Sequence, residues 1–197
     1  MGTPSRRRFG RWRVALVTAI TVAVGVTATV ALLAAAGGGP AAPARDPPVV
    51  VAPNATVEQV IDGDTVVARV EGRDEHVRLI GIDTPETVDA DRPVMCFGPE
   101  ASAETHRLLP DGTPVRLVRD VEARDVYGRL LAYVYRATDG TFVNRALAEG
   151  GFADVLAIAP NTTHGDELRA AVADAKRARR GLWAACRSFG QPVGSIA

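Results

Sequence analysis

Between residues 57 and 70, β-branched apolar side chains alternate with polar ones (VEQVIDGDTVVARV) around Asp62-Gly63-Asp64. This pattern predicts a strand, a sharp turn and a second strand. Residues 75–83 (EHVRLIGID) predict a third strand. It ends at Thr84-Pro85, because proline holds the residue before it out of the helical region and offers no ladder donor. Residues 114–119 (PVRLVR) and 130–135 (LLAYVY) predict two more. Elsewhere the pattern turns helical. Gly98-Pro99-Glu100 opens a helix running to Leu109, with proline in its first turn and an acid near its positive end. Residues 142–149 predict a second helix, stopped by Gly150-Gly151. Residues 164–180 predict the longest, with Leu168, Ala171, Val172 and Ala175 as one buried stripe and Gly181 as its stop. Thr162 and Thr163 stand where they would cap it, and His164 reads as a polar helix-start residue. The order β-β-β-α-β-β-α-α predicts an α+β fold: a five-stranded barrel of the OB type capped by three α-helices.

Upstream, residues 14–36 carry no charge at all. As a helix they would extend roughly 35 Å, enough to cross a bilayer core of roughly 30 Å. Arg6, Arg7, Arg8, Arg11 and Arg13 precede this stretch and no acid accompanies them. A basic leader (1–13) before an N-terminal hydrophobic helix (14–36) predicts export of everything downstream, as a single-pass membrane-anchored or a secreted protein. The length favours an uncleaved signal-anchor. The small residues Ala34, Ala35 and Ala36 also suit a cleaved signal peptide, and Ser5-Arg6-Arg7-Arg8-Phe9 resembles a twin-arginine signal. Residues 37–52, rich in glycine, alanine and proline, read as a linker. Residues 53–189 read as the folded domain and 190–197 as a tail.

Basic and acidic residues balance at 23 each, but the leader takes five arginines and leaves the rest net acidic. A polyanion-coating protein is thereby excluded, and a polyanion must be gripped by a local cluster. The two cysteines, Cys96 and Cys186, lack any CxxC or histidine-rich companion that would indicate zinc. In an oxidising compartment they predict a disulfide, the alternative being two buried thiols.

Three clusters carry chemistry. Asp62-Gly63-Asp64 places two carboxylates at one strand end, a donor type suited to hard cations, although the same residues make an ordinary hairpin turn. Arg78 with Asp83-Thr84-Pro85-Glu86 adds two carboxylates in a proline-fixed turn, where one can hold a cation and the other accept a proton from water. Tyr127-Gly128-Arg129 offers the paired donors that match phosphate oxygens, although most arginines are simply solvated.

Taken in order, IDGDTV, RLIGIDTPE, FGPEASAET, DVYGRLLAYVY and FVNRALAEGGFA resemble the staphylococcal (micrococcal) nuclease, or thermonuclease, family from about residue 56 to 183. The resemblance implies an SNase-like barrel and calcium-dependent hydrolysis of DNA and RNA, leaving 3′-phosphate ends. It further implies Ca2+ ligation by Asp64, Asp83 and the Thr84 carbonyl, supported by Asp62. Glu86 falls at the general base, Arg78 and Arg129 at the phosphate-holding arginines, and Tyr127 at a phosphate-contacting tyrosine. Single-stranded DNA and RNA are the expected substrates of a monomeric enzyme, with the membrane a further partner through residues 14–36 if these stay uncleaved. Leu156 and Ile158 stand where the family has tyrosines, and Asp89 and Asp91 where it is rich in lysine. Both departures predict weaker substrate affinity with hydrolysis preserved. One alternative is a nucleic-acid-binding module of this family without catalysis, which would lack some of these carboxylates or arginines. All are present. Another is a secreted domain that binds protein through its barrel.

Overall fold

The computed structural model describes residues 50–87 and 93–193. The leader, the hydrophobic segment, most of the linker, and Asp89 and Asp91 lie outside the described residues. No helix among the described residues is long and apolar enough to cross a membrane.

The chain forms β1 (Ala55–Val60), β2 (Thr65–Val70), β3 (Arg73–Leu79), β4 (Gly81–Asp83), α1 (Gly98–Leu108), β5 (Pro114–Val118) and β6 (Leu130–Arg136). It continues with α2 (Val143–Gly150), β7 (Asp154–Leu156), α3 (Gly165–Arg177) and α4 (Leu182–Ala185). Five strands close a barrel in the order β1-β2-β3-β6-β5. All neighbours run antiparallel except β3 and β6, which are parallel. Closure leaves the barrel without a free edge strand. The alternation read from the sequence points Val57, Val66, Ala68, Val77, Leu79, Val115 and Val134 into the buried interior. Each large side chain there contributes roughly 1.5–3 kcal/mol.

The expected five-stranded OB-type barrel with helices, α1 entering before β5 and the others after β6, is therefore the fold, with three refinements. The expected strand 75–83 is two strands. At Gly81 (φ 83°) the backbone takes a left-handed turn that leaves the barrel, and β4 pairs instead with β7. A Cβ at Gly81 would lie 2.5 Å from Leu168 of α3, so glycine also permits this close approach. Second, α4 adds a short helical turn to the three expected helices. Third, Thr162 and Thr163 do not cap α3. His164 is its N-cap and makes no side-chain cap bond, while the Thr163 hydroxyl donates to Asp120 at 2.9 Å. An ionised acceptor across the loop outcompetes the weaker local cap.

Buried Asn144 joins α2 to the barrel. It accepts from Val134 N at 2.9 Å and donates to Ile80 O at 2.8 Å, pairing a carbonyl exposed by the kink between β3 and β4. Cys96 and Cys186 form the expected disulfide.

Candidate active site

The β1–β2 turn is tight: Ile61 N and Asp62 N both donate to Thr65 O, and Asp64 N donates to Asp62 Oδ1 at 3.0 Å. Thr65 is then the first residue of β2, and the β2–β3 register sets it opposite Arg78. Arg78 reaches the adjacent Asp64 carboxylate with Nη1. Its Nη2 donates to Asp83 Oδ1 at 2.9 Å and to Ile82 O at 3.2 Å. Asp64 Oδ2 accepts from Thr84 N at 2.8 Å and from the Thr84 hydroxyl at 3.0 Å. Strand pairing and the Thr84-Pro85 turn thus unite two stretches that are about 20 residues apart. Gly63 makes this union possible, since a Cβ there would sit 2.6 Å from Thr84 Oγ1.

One cavity of about 380 Å³ is lined by Asp62, Asp64, Thr65, Arg78, Asp83, Thr84, Glu86, Tyr127 and Arg129. Every residue expected to do chemistry therefore meets at one place; the disulfide pair stands apart. The lining holds four carboxylates and two guanidiniums. Burial raises the Asp62 carboxyl above its usual range, and the charge of Glu86 raises it further, against lowering by Arg78 and Thr65. Burial likewise lowers Arg78, against the pull of Asp83 and Asp62. This excess of confined negative charge is what a divalent cation would offset.

The oxygens fit such an ion. They are hard donors, with the carboxylates of Asp64 and Asp83 held near the Thr84 backbone. Among the described residues no three acidic, histidine or cysteine side chains form a cage by themselves. A cation here would draw on backbone and water oxygens as well, as calcium commonly does.

Arg129 enters from the β5–β6 loop. Its Nε donates to Asp125 Oδ2 at 2.7 Å, while Asp125 Oδ1 accepts the backbone amides of Tyr127 and Arg129, both at 3.0 Å. The guanidinium lies 5.5 Å from the centre of the Tyr127 ring, which is 82% exposed. Asp125 was not singled out by sequence reasoning. Its signal is the spacing Asp-x-x-Gly-Arg, with Gly128 in the left-handed region (φ 83°) turning the arginine back onto the acid. Thr105 was missed too. Fully buried in α1, it donates at 2.6 Å to Gly63 O inside the β1–β2 turn.

Beside the charged cavity lies a second one of about 340 Å³, lined partly by Val126, Tyr127, Leu131, Leu156 and Ile158. Val126 and Ile158 are among the most exposed large apolar residues described. His164 takes no part in either cavity. Its Nδ1 pairs with Glu167 and its Nε2 with Tyr135. Asn161 fits the glycosylation pattern Asn-Thr-Thr, yet it is buried, accepting from Glu122 N and donating to Glu122 O.

A family model described as staphylococcal nuclease homologue matches residues 76–185. The thermonuclease of Staphylococcus hyicus is 38% identical over 127 residues, covering 64% of this chain and 73% of that protein. The thermonuclease of Staphylococcus intermedius is 40% identical over 127 residues, covering 64% and 74%. Endonuclease YncB of Bacillus subtilis (strain 168) is 36% identical over 131 residues, covering 66% and 61%.

Proposed function

The chain belongs to the staphylococcal nuclease family, and from that premise we propose that it is an exported, calcium-dependent endonuclease acting on DNA and RNA. The observation that carries this reading is the meeting of four carboxylates and two guanidiniums on one cavity.

Asp64, Asp83 and the Thr84 carbonyl would hold the calcium ion, with Asp62 supporting its water shell. When bound, the ion supplies Lewis-acid charge against the phosphate oxygens. The remaining work falls to the chain. Hydrolysis adds a hydroxide equivalent to an anionic phosphorus, so charge on the equatorial oxygens must be offset as it grows. Arg129, aimed by Asp125, presents paired donors to those oxygens, and Arg78 adds a second guanidinium from the cavity wall. Tyr127 contributes a hydroxyl at the rim. Glu86 accepts the proton of the attacking water. Water attacks phosphorus, the bond to the 5′ oxygen breaks, that oxygen takes a proton from solvent to leave as a hydroxyl, and the 3′ oxygen keeps the phosphate.

Single strands are the expected substrate, because the adjacent apolar cavity can receive an unstacked base. Leu156 and Ile158 offer it aliphatic contact in place of aromatic stacking, which weakens binding by roughly 1–3 kcal/mol per lost platform. The disulfide suits an oxidising compartment and so supports export, either secreted or tethered through residues 14–36.

End-labelled single-stranded DNA tests the reading. Fragments should carry 3′-phosphates, resisting enzymatic tailing until a phosphatase removes them. Arg129→Ala should lower the rate about 10²- to 10³-fold. Fragments ending in 3′-hydroxyls would contradict the assigned bond cleavage.

A further inference from the structure

The Cys96–Cys186 bond joins residues 90 apart and lies outside the cavity, so the hydrolytic step as described assigns it no part. Its surroundings tie it to that cavity. Beside the bond, Cys96 N donates to Gln191 O at 2.7 Å and Val193 N to Val94 O at 2.9 Å. Met95 and Pro192 are bridge partners, so residues 94–96 and 191–193 form a short antiparallel clasp. In the sequence, residues 190–197 read as a tail; 191–193 are built into the fold.

The same clasp holds the Glu86 segment. Met95 N donates to Glu86 O at 2.9 Å. Gly98, the first residue of α1, lies so close that a Cβ there would stand 2.8 Å from Glu86 O and 3.2 Å from Pro85 O. Further along α1, Thr105 holds Gly63 O between Asp62 and Asp64. Residues 94–105 are therefore a brace, anchored by the disulfide at one end and touching two catalytic segments. The barrel itself closes without residues 186–193, so loss of the bond should loosen the brace and spare the sheet.

We propose that Cys96 and Cys186 are positioning residues for hydrolysis: their disulfide fixes the brace that sets Glu86 at the cavity, and its reduction lowers the catalytic rate. This rests on the reading of Glu86 as the base. Both cysteines are only partly buried and open to a dithiol. One dithiol thiolate attacks a disulfide sulfur to form a mixed disulfide, and its second thiolate displaces the other protein sulfur. The dithiol is oxidised to a cyclic disulfide by two electrons, and Cys96 and Cys186 become thiols.

The test compares the full chain oxidised, reduced with dithiothreitol, and as Cys96→Ser/Cys186→Ser. Each is assayed for kcat and KM on single-stranded DNA, alone and with Glu86→Gln, and far-ultraviolet circular dichroism is recorded at the assay temperature. Reduction should lower kcat about 10- to 100-fold, as misplacing a reacting group does, and leave KM within about twofold. The double serine variant should match the reduced protein and ignore the dithiol. In Glu86→Gln, reduction should change the residual rate less than about twofold, because the group being positioned is already gone. An unchanged kcat on reduction, an equal fall in the Glu86→Gln background, or loss of the dichroism signal would each overturn the proposal and leave the nuclease reading intact. A Glu86→Gln enzyme running at the unmodified rate would instead defeat the base assignment, and the proposal with it.

Discussion

A guanidinium recognises phosphate well only when its planar fork is held in place, and Asp125 holds that of Arg129 from one side while organising the turn from the other. Asp125→Ala should lower kcat/KM about tenfold in hydrolysis assays, with the circular dichroism spectrum unchanged. Asp125→Asn should fall between, since an amide oxygen still accepts from the Tyr127 and Arg129 amides. Asp62 poses the opposite problem. Burial and the charge of Glu86 raise its carboxyl, so its ionised form weakens the fold. Its contribution is favourable while protonated and is lost as pH rises through the raised folded value. Asp62→Asn should therefore raise the urea midpoint at pH 7 in chelator, a gain that shrinks on acidification. Asp139 behaves in reverse. Hydrogen bonds from Arg136 hold its carboxyl well below the ordinary carboxylate range, against burial and aided by Thr141. Its stabilisation is present above an unfolded value of about 4 and disappears as pH falls through the depressed folded one. Because the pair is partly exposed, Asp139→Asn should cost only about 0.5–1 kcal/mol at pH 7, narrowing towards pH 2 in denaturant titrations.

At the scale of elements, what the sequence could disclose depended on how local the cause was. Hairpin alternation, the Pro99 start of α1 and the glycine stop of α2 act within a few residues, so those elements lie within one or two positions of where the pattern put them. The break at Gly81 was hidden, because EHVRLIGID alternates well enough for one strand; the cause is the distant packing of Leu168 and the pairing with β7. Thr163 was misread for the same reason, its partner Asp120 lying far off in the chain. Two helix contacts give testable consequences for stability. Thr105→Val keeps the shape but strips Gly63 O of its buried donor, which should cost about 1–3 kcal/mol by urea denaturation. Gly151, at φ 77°, ends α2 against α4, and a Cβ there would stand 2.2 Å from Arg180 O. Gly151→Ala must displace backbone, and should cost more than the Thr105 variant.

For the whole molecule, the site was more legible than any single motif, because each fragment taken alone has a commonplace explanation and their ordered combination does not. Which groups meet was readable from the family pattern. How they are held was not: Arg78 bridging Asp64 and Asp83, Asp125 behind Arg129, and the clasp beside Cys96 all depend on contacts across the fold. The second cavity shares Arg78, Tyr127 and Arg129 with the charged one. Its Leu156 and Ile158 end lies away from the charged cavity's carboxylates and is where the proposed substrate affinity can be altered. Ile158→Tyr should lower KM for single-stranded DNA by roughly 5- to 100-fold, the yield of one added stacking surface, with kcat little changed. Under the proposed function, this gathered set of acids and arginines hydrolyses the polynucleotide backbone with calcium. The most direct test is the single-turnover cleavage rate of single-stranded DNA by the protein and by Asp64→Asn, with calcium added or chelated. Rapid cleavage that needs calcium and falls at least about 100-fold in the variant is the predicted result. Cleavage at equal rates in chelator, or by the variant as fast as by the parent, would contradict the account.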